Sequence, residues 1–571
     1  MKYPFYIITL MIIGWTQTNA QSLLQTELLG RPTDKSITVQ AFFDSPVEAC
    51  IQYGTTNGVY PNQTSWQTFA AGEPTEIVVS GLQTNTKYVY RMCYRTPNTT
   101  TVTTRPEYKF QTQRAKGSTF SFIVQADPHM DAQSDTALYR LALNNQLADN
   151  PDFMVDLGDF LMTDKLANAA KVITRDTIIY RCKLLRNYYE TSAHSVPLFI
   201  ALGNHEAEGG WVLNNTANNY AVWGTLERKK YYLNPAPDNF HAGDTTNYPF
   251  VGQRESFYSW KWGDALFIVI DPYWATSPKP DSLTGWRWSL GKTQYDWLKK
   301  TLENNPATYK FIFSHQIIGG ATEGRGGVEV ADLYEWGGKN LDSTRGFETN
   351  RPGWYKPIKD LLKEHRVNFF YHGHDHFFGK QEKDCMIYQE TPQPSHPNFT
   401  SASYIAGYSY REGLLLPNSG YIRVTVSPEN VKTEYVRSYL PANVTGTRRN
   451  KDVSATYTVG AKNCYDSTTT SIPVLWNSNY SDELVYPNPF SHNTNIQLTL
   501  NKSERLMLSI FNEKGQLVRS LLRGSIVPEG KFQINWDGNN DMGKALSNGL
   551  YFYTIKGENG GETKGKMVLM R

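Results

Sequence analysis

The chain has 571 residues, more than one hydrophobic core organises, and this length predicts about three domains. Its apolar (40%) and charged (19%) fractions are those of globular protein and exclude collagen-like, coiled-coil and disordered classes. A formal net charge of +3 lacks the basic excess with which a dedicated nucleic-acid binder displaces counterions.

The first segment, 1–20, reads as an export signal. Lys2 gives a positive start, Phe5 to Trp15 is an apolar run, and Thr18-Asn19-Ala20 puts a small residue before a cut at Gln21. The run is shorter than the ~20 apolar residues of a bilayer span, and no other stretch approaches that length. No Cys follows the cut to carry a lipid. The expected product is exported, with no transmembrane segment.

Residues 24–113 alternate β-patterned runs with turn residues: Ser36–Phe43, Cys50–Gly54, Glu76–Ser80, Tyr88–Tyr94 and Tyr108–Thr112. That spacing predicts a small antiparallel sandwich. Cys50 and Cys93 fall on strands expected to be neighbours and are the favoured disulfide pair among the 5 Cys. No C-x-x-C spacing occurs, which excludes thiolate metal sites and thioredoxin-like redox chemistry. The module carries no recognisable chemistry and reads as a spacer or docking platform.

From Ser118 the texture becomes α/β. Apolar runs at Thr119–Ala126, Phe153–Leu157, Leu198–Leu202, Ala265–Ile270, Lys310–Phe313 and Val367–Tyr371 predict strands of a sheet covered on both faces. Tyr421–Val426 and Val431–Tyr435 predict a closing hairpin, which ends this domain (118–441) near Pro441. A polar stretch, 442–483, reads as a linker. Residues 484–571 then form a second β module, from Tyr486-Pro487-Asn488-Pro489-Phe490 through Trp536-Asp537-Gly538 to the strand-like Lys566–Met570. The fold class expected is multidomain, with a β-sandwich on each side of an α/β domain.

Five polar motifs follow predicted strands of the central domain: Asp127-Pro128-His129, Gly158-Asp159, Gly203-Asn204-His205-Glu206, Ser314-His315 and Gly373-His374-Asp375-His376. Ligands of α/β sheets gather beyond the carboxyl ends of strands, so the five motifs can converge on one site. Five of the 11 His lie in them. Carboxylate, imidazole and amide donors suit Fe, Mn or Zn, whereas Ca prefers oxygen alone. The strand Ala265–Ile270 fits the same sheet but ends in Asp271-Pro272, without an evident ligand. A Gly-rich stretch from Gly319 to Trp354 lies where substrate-specific loops overhang such a site. In it Arg325 is a candidate phosphate grip, or else part of a loop held by local turns.

The motif order Asp-x-His, Gly-Asp, Gly-Asn-His-Glu, His, Gly-His-x-His resembles that of the calcineurin-like metallophosphoesterase superfamily, across residues 118–441. The resemblance implies a four-layer α/β/β/α domain holding two metal ions. Asp127, His129, Asp159 and His376 would take one ion, and Asp159, Asn204, His315 and His374 the other, with Asp159 bridging. His205 would contact the phosphate and protonate the leaving group, and Glu206 would orient its loop. Asp375 would point away from the metals, and His372 would pack. The implied reaction is hydrolysis of phosphate esters by a metal-bridging hydroxide, in the manner of an acid phosphatase acting on monoesters. The alternatives are a phosphodiesterase acting on nucleotides or phospholipid headgroups, and an inactive surface-binding protein.

The segment Leu82 to Tyr88 resembles the tyrosine corner of fibronectin type III domains, and with Ile51-Gln52-Tyr53-Gly54 it resembles the N-terminal domain of purple acid phosphatases. Those enzymes carry a Tyr ligand in Gly-Asp-x-x-Tyr, whereas Met162 stands at that position here and His129 offers a donor instead. The C-terminal module resembles the sorting domain of type IX secretion cargo of Bacteroidetes-type bacteria. This implies the type IX secretion machinery as a partner and a secreted or cell-surface location.

Overall fold

The computed structural model describes residues 23–166, 172–281, 284–446, 448–461, 480–500, 502–558 and 562–571. The predicted export signal lies outside them. No helix of the described residues is long and apolar enough to cross a membrane.

The N-terminal module is a β-sandwich. Strands Leu23–Gly30, Ser36–Phe43 and Pro74–Ser80 form one sheet, and Val47–Gly54 and Lys87–Arg95 lie at the centre of the other. Alternating residues such as Ile37, Val39, Ile77, Tyr90 and Phe110 fill the space between them. Tyr88 closes the corner as its motif predicts, with its hydroxyl accepting from the Gln83 N–H at 2.9 Å. Cys50 and Cys93 are register partners on adjacent strands, but the expected disulfide is absent. They are buried free thiols, and the neighbouring Cys93 together with burial pushes the Cys50 thiol up. Among the cysteines at described positions, Cys385 is the one that is disulfide-bonded.

This module is fixed to the central domain rather than tethered. Arg186 is wholly buried, and its guanidinium donates to both the side chain and the backbone carbonyl of Gln40 at 2.9 Å. Phe42 stacks on Tyr231 with ring centroids 5.1 Å apart.

The central domain has two sheets where a single one was expected from the apolar runs alone. A six-stranded sheet contains the parallel trio Phe120–Gln125, Met154–Asp156 and Leu198–Ile200, continued by Gly420–Val426 and Asn430–Arg437. An eight-stranded sheet contains a second parallel trio, Ala265–Val269, Tyr309–Phe313 and Phe369–His372. Aromatic side chains interlock between the sheets, with Phe122 meeting the faces of Phe267 and Phe311 edge-on at 5.2 and 5.4 Å. Helices Thr136–Ala148 and Arg175–Tyr189 cover one outer face, and Gly291–Asn304 and Ile358–Glu364 cover the other. The result is the four-layer α/β/β/α arrangement.

The predicted linker is shorter than 442–483. Val453–Gly460 is a sixth strand, antiparallel to Asn430–Arg437, so the domain continues past Pro441. From Ala455 on, buried or half-buried residues alternate with exposed ones, and the polar outer face disguises a strand as linker. The C-terminal module is a sandwich of two antiparallel sheets around Ile496, Leu508, Trp536, Tyr553 and Ile555.

Candidate metal centre

The five motifs all emerge from carboxyl ends of the two parallel trios. Asp127, Asp159 and Asn204 follow strands of the six-stranded sheet, and His315, His374 and His376 follow strands of the eight-stranded sheet. Sharp turns hold the donors in place: Asp127, His129, Asp159, His374 and His376 all have φ between 50° and 79°. Left-handed backbone is disfavoured for such residues and clusters where surroundings over-determine the geometry for function. Two glycines permit the close approach of these turns. A Cβ on Gly203 would lie 2.2 Å from Asp159 Oδ1, and one on Gly373 would lie 2.6 Å from Asp127 Oδ2.

Each of the two aspartates divides its oxygens between jobs. Asp127 Oδ2 accepts the His374 N–H at 2.9 Å, and Asp159 Oδ1 accepts the His205 N–H at 2.8 Å. Their other oxygens, together with His129 Nε2 and Asn204 Oδ1, are buried without any hydrogen-bond partner. Orphaned buried donors and acceptors are costly, and four on facing loops fit the ligand atoms of a cation.

The imidazoles are aimed by their far nitrogens. His315 Nδ1 is 3.0 Å from the Leu157 carbonyl, which leaves Nε2 facing Asp159 Oδ2 at 3.1 Å. His374 Nε2 is 3.1 Å from the Glu323 carbonyl, leaving Nδ1 toward the site. His129 has Asp131 3.5 Å behind it, and its Nε2 is 3.6 Å from Asp127 Oδ1. His376 Nε2 is 3.4 Å from the same oxygen. Two donor groups result, Asp127–His129–His376 and Asp159–His315–His374, each with its ligand atoms within 4.8 Å of one another. Backing an imidazole with a carbonyl or carboxylate is how proteins fix the tautomer that binds metal.

His205 lines the same site but is held differently. Its Nδ1 lies 2.7 Å from Asp164 Oδ1, and its Nε2 is 3.9 Å from Asp159 Oδ2. Burial works to lower its pKa, but Asp159 and Asp164 outweigh burial and raise it. Glu206 does not face the donors. It accepts the N–H groups of Gly203, Asp159, Phe160 and Leu161, tying the second and third motifs together.

Arg325 lines the adjoining cavity, yet its Nη1 is already bound to the His374 carbonyl (2.8 Å) and to Asp375 (2.9 Å). Its guanidinium also lies 4.3 Å above the Tyr408 ring. Of the two readings of this residue, the structure gives it the loop-holding contacts. Asp375 points away from the donors, accepting also from Gly326 and Tyr410. His372 is buried against Glu390, 2.7 Å away.

Asp164 was missed by motif reading, although it stands only five residues after Asp159 in the same loop. So was a buried ionic chain that begins at Asp271. Asp271 holds Arg254 (2.6 Å), Arg254 holds Glu208 (2.9 Å), and Glu208 holds Arg228 (2.6 Å). This network braces the loop after Asn204-His205-Glu206 and explains why the strand ending in Asp271 supplies no ligand. A cavity of about 390 Å³ opens beside the donors, bounded by Asn204, His205, His374, Lys165, Lys279 and Trp288.

Residues 120–378 match the family model of calcineurin-like phosphoesterases, and residues 490–561 match that of the FlgD Ig-like domain. The chain is similar to the structure of PhoD, at 15% identity over 79% of this chain and 93% of that one, with a TM-score of 0.54. It is also similar to purple acid phosphatase PPD1 from yellow lupin (Lupinus luteus) seeds, at 15% identity over 78% and 77% of the two chains, with a TM-score of 0.50. At this identity the likeness is one of fold. No curated protein matches the chain. The central domain is a calcineurin-like phosphoesterase domain, a hydrolase of phosphoric ester bonds.

Proposed function

We propose that the chain is an exported binuclear phosphatase that hydrolyses phosphate monoesters. The observation that carries this reading is the pair of donor groups together with the four orphaned atoms between them. Asp127, His129, Asp159 and His376 would hold one ion, and Asp159, Asn204, His315 and His374 the other. The donor set suits Fe, Mn or Zn. When bound, the ions supply Lewis acidity toward the phosphoryl group and acidify water.

The chain's own residues supply the rest. His205 presents Nε2 to the cavity while Asp164 holds Nδ1, so a proton kept on Nε2 is aimed where an ester oxygen departs. Such a step is typically worth about 10²–10⁴ in rate. Asn204 and His205 contact the phosphoryl group, and Glu206 fixes their turn. Met162 replaces the phenolate of the purple enzymes, and His129 supplies the donor that keeps the ligand count. Turnover of p-nitrophenyl phosphate against bis-p-nitrophenyl phosphate, alongside metal analysis, tests the reading. Preference for the diester would overturn the monoester assignment, and turnover of neither by metal-replete protein would overturn the enzyme.

Export rests on the sequence of 1–20 and on the sorting-type module at 484–571. The module is taken as a signal read by the type IX secretion machinery, which delivers the enzyme to the surface or medium. Deleting 484–571 is expected to leave active enzyme retained inside the outer membrane. Normal release of the truncated protein would overturn the sorting role.

A further inference from the structure

The cavity beside the donor groups has walls of unequal character. Its three acids are already engaged: Asp164 with His205, Asp281 with Thr284 at 2.9 Å and Arg287 at 3.8 Å, and Glu323 with Arg325 at 3.8 Å. Arg325 is itself held by Asp375. Two cations differ. Lys165, exposed in the loop after Met154–Asp156, and Lys279, exposed in the loop after Ala265–Val269, line the cavity and make no ion pair among the described residues. Lys279 rests its ammonium 5.8 Å from the Trp211 ring centroid, a contact that gives the side chain a preferred place without spending its charge. The charge of Lys165 reaches His205, where it opposes that of Asp164.

The two lysines follow strands of different sheets and line the same cavity as His205, the residue proposed to serve the leaving group. A neutral leaving group gives them nothing to bind. We infer that the preferred substrates carry a second anionic group, a phosphate or a carboxylate, on the leaving group, and that Lys165 and Lys279 receive it. This rests on the proposed hydrolysis of phosphate esters and adds the substrate class to it. The volume of about 390 Å³ has room for a phosphoryl group and a short organic leaving group.

The test uses the metal-replete, full-length enzyme and three matched esters: propyl phosphate, 3-phosphooxypropanoate and propane-1,3-diyl bisphosphate. Both turnover and calorimetric binding are measured. The two charged esters are expected to bind more tightly than propyl phosphate, through a lower KM, with the preference shrinking as salt rises. Lys279→Gln is expected to weaken the charged esters by about two- to fivefold and to leave propyl phosphate unchanged, the scale of an exposed ion pair. Lys165→Gln, Lys279→Gln together should abolish the preference. A greater loss for the bisphosphate than for the carboxylate identifies phosphate as the second group, and the reverse identifies carboxylate. Equal binding of all three esters by the wild type, or an equal effect of Lys279→Gln on all three, overturns the inference. Charge preference in binding without turnover would leave this assignment standing and refute the phosphatase instead.

Discussion

Asp164 places a carboxylate oxygen 2.7 Å from Nδ1 of His205, on the far side of the imidazole from the donor groups. This contact fixes both the direction of Nε2 and the tendency of the ring to hold a proton.

Asp164→Asn is therefore expected to lower kcat by about tenfold or more while metal content stays at the wild-type level. The loss should be larger for alkyl phosphates than for p-nitrophenyl phosphate, because nitrophenolate leaves without needing a proton. Equal losses on the two substrates would assign Asp164 a merely structural part.

Asp159 and His205 separate holding metal from moving protons. Asp159→Ala should remove most bound metal with the activity, since its Oδ2 faces both donor groups. His205→Ala should keep the metal and lose about 10²–10⁴ in rate on alkyl phosphates. Elemental analysis of the two purified variants checks this, and parallel metal loss would place His205 among the ligands.

The ionic chain beneath the Asn204 loop sets an acid limit on stability. Burial works to raise the Glu208 carboxyl, but Arg228 and Arg254 outweigh it and hold the pKa at about 2, below its ordinary 4.5. A depressed carboxyl stabilises the fold above its unfolded pKa, and the contribution fades as pH falls from about 4.5 to about 2. Thermal melts across that window should show a fall in Tm that Glu208→Gln flattens. The substitution should itself cost about 3–5 kcal/mol at neutral pH, because buried Arg228 loses its carboxylate partner while Arg254 keeps Asp271.

In the proposed centre His129 would take the place of the phenolate ligand of purple acid phosphatases. Its Nε2 lies 3.6 Å from Asp127 Oδ1 and 3.8 Å from Asp159 Oδ2, inside the first donor group. Iron-loaded protein is expected to lack the strong visible band of a Tyr–Fe(III) centre and to work with Mn, Zn or Fe(II), and His129→Ala should lose activity. An absorption spectrum of the iron form decides it, a strong band pointing to a tyrosine ligand.

The donor side chains were legible in sequence because each follows a strand within a few residues, where strand direction alone fixes the loop's position. Their partners were not. Asp164 sits in a short 3-10 turn and Glu208 and Arg254 in loops, with no periodic pattern, and only tertiary approach reveals whom they hold. The number of sheets was also illegible from the apolar runs. Phe122 and Phe311 look alike whether they face a helix or another sheet, while the strand Tyr258–Trp262 alternates aromatic with polar residues and Phe378–Lys383 is mostly polar. Cys50 and Cys93 were correctly paired as neighbours, but register decides proximity and not oxidation state.

The two sheets contribute to each donor group together. Asp127 and His129 belong to one and His376 to the other, and Asp159 to one and His315 and His374 to the other. An ion seated in either group is thus a rivet through the seam, and withdrawing it frees the open rim of a joint whose interior is held by packed aromatic rings. Cohesion between the halves becomes a function of free metal concentration, since whatever binds only the closed joint adds its binding energy to it. A compartment poor in the metal would soften this protein as well as silence it.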